Sequence, residues 1–142
     1  MTADDFPSAA VRHLDDAQVL VDARRPDGAV HAAGFAAECA LKALLVRALP
    51  GLNPKDAGHD LGGMVGKIDA WAAAVTGDRD LARCAVALSS GSALSEGHPN
   101  RRYWRSRWSD VDAAAVVAEA RHIVDARVIG PWLDRGELLG LA

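Results

Sequence analysis

The chain is poor in aromatic residues, which make up 5% of its 142 positions, and it has only two cysteines, Cys39 and Cys84. Two cysteines imply no disulfide framework. No run alternates apolar and polar residues with period two, and few β-branched or aromatic residues are available to fill a sheet, so β architectures are excluded. There is no phosphate loop and no dinucleotide fingerprint. The two cysteines and five histidines show no zinc-ligand spacing, so neither a metal nor a cofactor is expected. Net charge is −3, which excludes the general affinity for nucleic acid that a strongly basic domain has. Any such contact must come from a local patch. The N-terminal "MTADDFPSAAVRHLDD" is acidic and has no apolar signal core, and no apolar stretch reads as long and charge-free enough to span a bilayer. The expectation is a soluble, cytoplasmic protein with no membrane partner.

What is present is alanine and helical periodicity. Half of the residues are hydrophobic and a quarter charged, which suits one globular domain over residues 1–142. Val11, Leu14, Ala17, Leu20 and Val21 recur at helical spacing and predict a helix over 8–23, preceded by Pro7 and stopped by Pro26, Asp27 and Gly28. A second helix runs over about 29–49, to Pro50 and Gly51. "GLNPKDAGHD" reads as a loop. A third helix begins near His59 or Asp60, with Asp60 as N-cap, and extends to about residue 75. A shorter fourth is expected over 78–88, followed by the polar loop "SSGSALSEGHPN". Ser109 resembles the N-cap of a last helix, with Asp110 and Asp112 at the positive end of its dipole. That helix reaches about residue 129, and a tail bearing Trp132, Leu133, Leu138 and Leu139 folds back. The fold class is all-α, an up-and-down bundle of four to five helices.

Three stretches carry candidate chemistry. The second helix is apolar on nearly every side, yet His31, Phe35, Glu38 and Lys42 fall on one line of it. Glu38 four residues before Lys42 is the favourable orientation for a helical ion pair. The stripe is a structural ion pair, a partly buried polar site or a solvated edge. In "GHDLGGM", His59 and Asp60 open a helix whose free N–H groups can receive an anion, although Asp60 also suits a plain cap. "NRRYWRSRW" interleaves Arg101, Arg102, Arg105 and Arg107 with Tyr103, Trp104 and Trp108. Arginine forks bind phosphate and aromatic faces stack on unpaired bases. The alternative is that the tryptophans anchor the loop and Arg102 pairs with a buried carboxylate such as Glu38. The loop serines 89, 90, 92 and 95 have no identifiable base partner.

"AAGFAAECALKALL", then "GHDLGGM", then "RRYW" before a long helix, and finally "VIGPWL", resemble the HEPN domain family (higher eukaryotes and prokaryotes nucleotide-binding), in particular its small bacterial stand-alone branch. The resemblance is strongest over 29–133. It implies a HEPN-like bundle, a homodimer, and binding or cleavage of RNA or nucleotides within a toxin–antitoxin or defence module. It also implies a neighbouring nucleotidyltransferase-type antitoxin as partner. Ribonuclease members of that family carry an Arg or Asn, then roughly four to six intervening residues, then a His near the start of the last long helix. This chain has arginines there and no such His; His98 precedes them. Arg24 or Arg25 with His31, and Asn53 with His59, match the spacing elsewhere.

The matching positions are Arg102 and Tyr103, His59, and Glu38 with Lys42. If RNA is cut without metal, the expected catalytic residues are Arg102, Tyr103 and His59. Glu38, Lys42, Arg101, Arg105, Trp104 and His98 are the expected substrate-binding set. The expected arrangement has Glu38, with Lys42, meeting both Arg102 and His59. The competing expectation is a non-catalytic dimeric helical module that binds a partner protein such as the nucleotidyltransferase.

Overall fold

Asp5 starts the first helix. Its carboxylate accepts from the Ser8 backbone N–H at 3.0 Å and from the Ser8 hydroxyl at 2.8 Å, which satisfies donors that the first turn leaves open. The computed structural model of the chain describes residues 5–48, 51, 53–74 and 94–125. Among these there are four α-helices, two short 3₁₀ turns and no strand, so the all-α expectation holds. The expected helix over 78–88, the end of the last helix and the tail lie outside the described residues.

Helix α1, Phe6–Asp22, buries Ala10, Leu14 and Ala17, a stripe at helical spacing. It stops through Arg24, whose φ of 57° turns the chain back. Pro26, Asp27 and Gly28 do not terminate α1, as expected from sequence. They form the first turn of α2, Pro26–Ala48. Proline is compatible with a first helical turn because its missing N–H would have no intrahelical partner there.

α2 is the central helix and packs against α1, against α3 (Leu61–Ala74) and against α4 (Asp110–His122). Ala29, Ala33, Ala36, Ala37 and Ala40 are fully buried on it, while Leu41, Leu44 and Leu45 supply volume near its end. Small side chains on several faces let more than one helix approach its axis closely. One sequence expectation is corrected here. Residues Pro26–Val46 are long and apolar enough to cross a membrane by length and composition. Within the bundle, 78% of the most apolar window of that span is buried, as a core helix requires.

A 3₁₀ turn over Pro54–Ala57, capped by Asn53, leads into α3. The Asp60 carboxylate accepts from the Gly63 N–H at 3.0 Å and caps α3, while Leu61 and Met64 point into the core. α4 opens with a reciprocal capping box between Ser109 and Asp112 and presents Ala113, Val116, Val117 and Ala120 to the core.

Before α4, the segment 94–109 lies across the start of α2. Although its sequence is polar, it is anchored in the core by Leu94, which is fully buried. Asp27 clamps its far end, accepting from the Ser106 hydroxyl at 2.7 Å and from the backbone N–H groups of Arg107 at 2.9 Å and Trp108 at 3.3 Å. Burial alone pushes the Asp27 carboxyl up, but those three donors outweigh it and hold its pKa below the ordinary value. Asp27→Ala is expected to cost about 1 kcal/mol at neutral pH, the scale of one net hydrogen bond, because the freed donors can reach water. A carboxyl with a depressed folded pKa stabilises above its unfolded pKa and loses that contribution as pH falls. Urea unfolding should therefore show the difference from wild type shrinking below about pH 4.

Candidate acid–base site around Glu38

Glu38 lies midway along the apolar helix α2, and a carboxylate at that position needs compensation. It is 4% exposed and Lys42 is 7% exposed. The structure supplies three donors. Lys42 Nζ is 3.2 Å from Glu38 Oε2, one helical turn away. His59 Nδ1 is 2.7 Å and His98 Nε2 is 2.9 Å from the other oxygen, Oε1. Burial by itself raises the Glu38 pKa. The hydrogen bonds from His98 and His59 and the Lys42 charge overcome it and bring the carboxyl down to about 2. Ionised Glu38 only accepts, so both imidazoles present an N–H to it.

The two histidines are held differently. His98 is fully enclosed, with 0% of its side chain exposed, whereas the His59 side chain is 53% exposed. His59 sits on the turn just before the Asp60 cap, so its Nδ1 faces inward to Glu38. Its Nε2 is the edge left for solvent. His98 hangs from the segment that precedes the second 3₁₀ turn, Asn100–Tyr103. Its Nδ1 is buried and has no hydrogen-bond partner. Gly34 of α2 makes room for it: a Cβ there would stand 2.6 Å from His98 Nδ1 and would also overlap Arg101 Nη2.

Phe35 forms the apolar wall. Its ring centroid lies 4.8 Å from that of His98, 5.0 Å from His31, 5.8 Å from His13 and 6.2 Å from His59. Four of the five histidines thus surround one phenylalanine. Burial lowers the His31 pKa, and the charges of Arg101 and Arg102 lower it further, which places the arginine segment beside this cluster. Burial likewise lowers His13, followed by the charge of Arg12.

Of the residues singled out in the sequence, Glu38, Lys42, His59 and His98 come together. Arg102 does not. The expected Arg102–Glu38 pair is corrected: Arg102 is exposed, with its guanidinium carbon 4.8 Å from the centroid of the Tyr103 ring. The inward arginine is its neighbour Arg101, which donates from Nη1 to the Glu96 carbonyl and from Nη2 to the Val30 carbonyl, both at 3.0 Å. Arg101 thereby ties the segment to the start of α2, and burial removes it from the substrate-binding set. Glu38, Lys42 and His98 are also walled off from direct contact with a large substrate.

Tyr103, Trp104, Arg105 and Arg107 remain on the surface, Tyr103 at 76% exposure. Trp104 packs one part of its ring on Gly97, whose φ of 68° is a left-handed conformation suited to glycine and whose missing Cβ leaves space for the indole. Arg107 stands over the rings of Trp104 and Trp108 and pairs with Glu96 at 2.6 Å. Together these side chains form a cationic, aromatic ledge. Comparison with protein-family models, curated proteins and solved structures gives no match for the chain.

His13 is the cluster member that sequence reading passed over, and the inward position of His98 was hidden in a loop pattern. The line His31, Phe35, Glu38, Lys42 was the available signal. Cys39, next to Glu38, has a different character. Burial, and then the Glu38 charge, push its thiol up to about 11. In a Cys84→Ser background, Cys39 should resist a thiol-specific dye in the native state at pH 8 and react at once in denaturant. Rapid native labelling would contradict its burial.

Proposed function

We propose that this chain is a HEPN-like, cytoplasmic helical protein that binds RNA and cuts it without a metal ion, as one component of a bacterial toxin–antitoxin or defence module. One observation carries the reading. A half-exposed imidazole, His59, is oriented by a buried, ionised carboxylate, and the segment that carries the exposed arginines and aromatic rings reaches the same carboxylate through His98.

Glu38 holds the His59 proton on Nδ1, which leaves Nε2 as the basic atom facing outward. A carboxylate that fixes an imidazole in this tautomer and stabilises the imidazolium is a recurring acid–base arrangement. In RNA, His59 Nε2 would take the proton of a ribose 2′-hydroxyl. The freed oxygen attacks the adjacent phosphorus, the bond to the 5′-oxygen of the next nucleotide breaks, and that oxygen takes a proton from the His59 imidazolium or from water, giving a 2′,3′-cyclic phosphate and a 5′-hydroxyl. Arg102 and Arg105 neutralise the phosphate, and Tyr103 and Trp104 offer faces for unpaired bases. The usual family motif is replaced in this reading by a His brought from the start of α3.

The test is a gel assay of labelled RNA in EDTA. Wild type should yield 2′,3′-cyclic ends. His59→Ala should slow cleavage by about 100-fold or more, the scale of one general base, with RNA binding retained. Tyr103→Ala, at a 76% exposed position, should weaken binding about tenfold, as loss of base stacking does, with an unchanged melting temperature. RNA neither cut nor shifted sinks the proposal and favours the protein-partner module, to be sought through a copurifying nucleotidyltransferase.

A further inference from the structure

Two imidazoles and a carboxylate meet at Glu38 from three separate parts of the chain: the middle of α2, the turn before α3, and the segment before α4. Their donor atoms, Glu38 Oε1, His59 Nδ1 and His98 Nε2, all lie within 4.8 Å of one another. We propose that these three atoms form a binding site for a divalent first-row transition-metal ion of the Zn²⁺ type, completed by water on the exposed side of His59.

The donor chemistry suits such an ion. Imidazole nitrogen with one carboxylate oxygen and an open position is a donor set that first-row metals take, and calcium or magnesium do not. The carboxylate is already ionised and already oriented, because Lys42 holds its second oxygen at 3.2 Å. A hydrogen-bonded outer oxygen is the support that ligating carboxylates ordinarily have. Phe35 packs edge-on against both imidazoles and keeps one side of the site apolar. The half-exposed His59 provides the entry path.

A tetrahedral ion with bonds of about 2.0–2.1 Å needs donors about 3.3 Å apart. The present 2.7 and 2.9 Å contacts must open slightly, and the two imidazoles must close toward each other. His59, on an exposed turn, is the group able to adjust. The metal replaces the N–H hydrogens that now point at Glu38. Each metal-bound imidazole then carries its proton on its other nitrogen.

Two features hold the affinity down. His98 Nδ1 would carry its proton against Gly34 with no acceptor, and outer-shell partners are worth roughly 10–100-fold in metal affinity. Lys42 places a positive charge beside the ion. The site is therefore suited to reversible occupancy. Bound metal takes His59 Nδ1 and puts a proton on Nε2, which removes the base from the proton-transfer reaction proposed above. Metal occupancy and proton transfer are alternative uses of the same atoms.

The experiment is calorimetric titration of the EDTA-stripped, dialysed protein with Zn²⁺, and a parallel titration with Co²⁺ followed by its visible absorption. One ion per chain is expected, with the intense visible bands of low-coordinate Co²⁺. His59→Ala, at a half-exposed position, should fold and weaken binding more than tenfold. His122→Ala, an exposed histidine outside the cluster, should change nothing.

No binding by wild type, binding unaltered in His59→Ala, or binding lost in His122→Ala overturns the site. Occupancy does not depend on the RNA reading. Metal bound by a protein that cuts no RNA supports the site and removes the ribonuclease. RNA cut in EDTA by a protein that takes no metal does the reverse. Where both hold, saturating Zn²⁺ should stop cleavage, and cleavage that continues overturns the shared use of His59.

Discussion

Glu38→Gln is expected to cost about 3 kcal/mol of stability at pH 7, the scale of breaking a buried ion pair by removing one partner. The glutamine carbonyl can still accept both imidazole N–H groups, which share one oxygen. Its amide then faces Lys42 Nζ, a donor against a donor, in a helix where Lys42 has little access to water. The effect should depend on pH with a definite sign. The folded Glu38 carboxyl lies at about 2, below the ordinary unfolded value of about 4.3. Its contribution is complete above the unfolded pKa and is lost as pH falls from about 5 toward 2. Urea unfolding of wild type and Glu38→Gln at pH 7, 5 and 3 should show a gap that narrows with acid. A gap of constant size would mean that Glu38 is not held as an ionised acceptor. Lys42→Met added to Glu38→Gln should recover part of the loss, because the stranded ammonium is then gone. The recovered amount measures the coupling of the pair.

Gly34→Ala should destabilise the protein by about 2 kcal/mol or more. In a helix interior the same change ordinarily stabilises by about 1 kcal/mol, since alanine is the better helix former. Here the added Cβ would meet His98 Nδ1 at 2.6 Å together with the Arg101 guanidinium. His98 is enclosed and Arg101 is tied to two backbone carbonyls, so neither can yield as a flexible tip would. Overpacking of this kind costs about 1–3 kcal/mol beyond the propensity gain. Gly66→Ala in α3 is the matched control: a Cβ there meets nothing within 4 Å and should raise the melting temperature. A stabilised Gly34→Ala would show that the 94–109 segment does not rest on α2 as described. Because Gly34 positions His98 without touching a substrate, its variant should also weaken Zn²⁺ binding.

Helix boundaries were read well where a cap and a periodic stripe coincide. Asp60 and Ser109 are both local signals, a side chain bonding to backbone three residues on, and local signals are visible in sequence. The turn between α1 and α2 was misplaced by a few residues. Proline at 26 reads equally well as the end of one helix or the first turn of the next, and Arg24 in a left-handed conformation leaves no compositional trace. In the loop before α4, His98 and Arg101 are turned inward to meet Glu38 and Val30, so their polarity reflects partners, while Arg102, Arg105 and Arg107 stay in water.

The sequence by itself determined that the chain is helical, that α2 is its most apolar helix, and that Glu38 and Lys42 stand one turn apart on it. Those are consequences of a 3.6-residue period acting over short separations. The expected contact of Glu38 with His59 is present. Only the tertiary structure decided that His98, 60 residues away in sequence, shares the same oxygen, and that Arg101 rather than Arg102 turns inward. Periodicity reports which residues share a helix face. It carries no information on which loop closes over that face, and loop closure brought two imidazoles to one carboxylate oxygen.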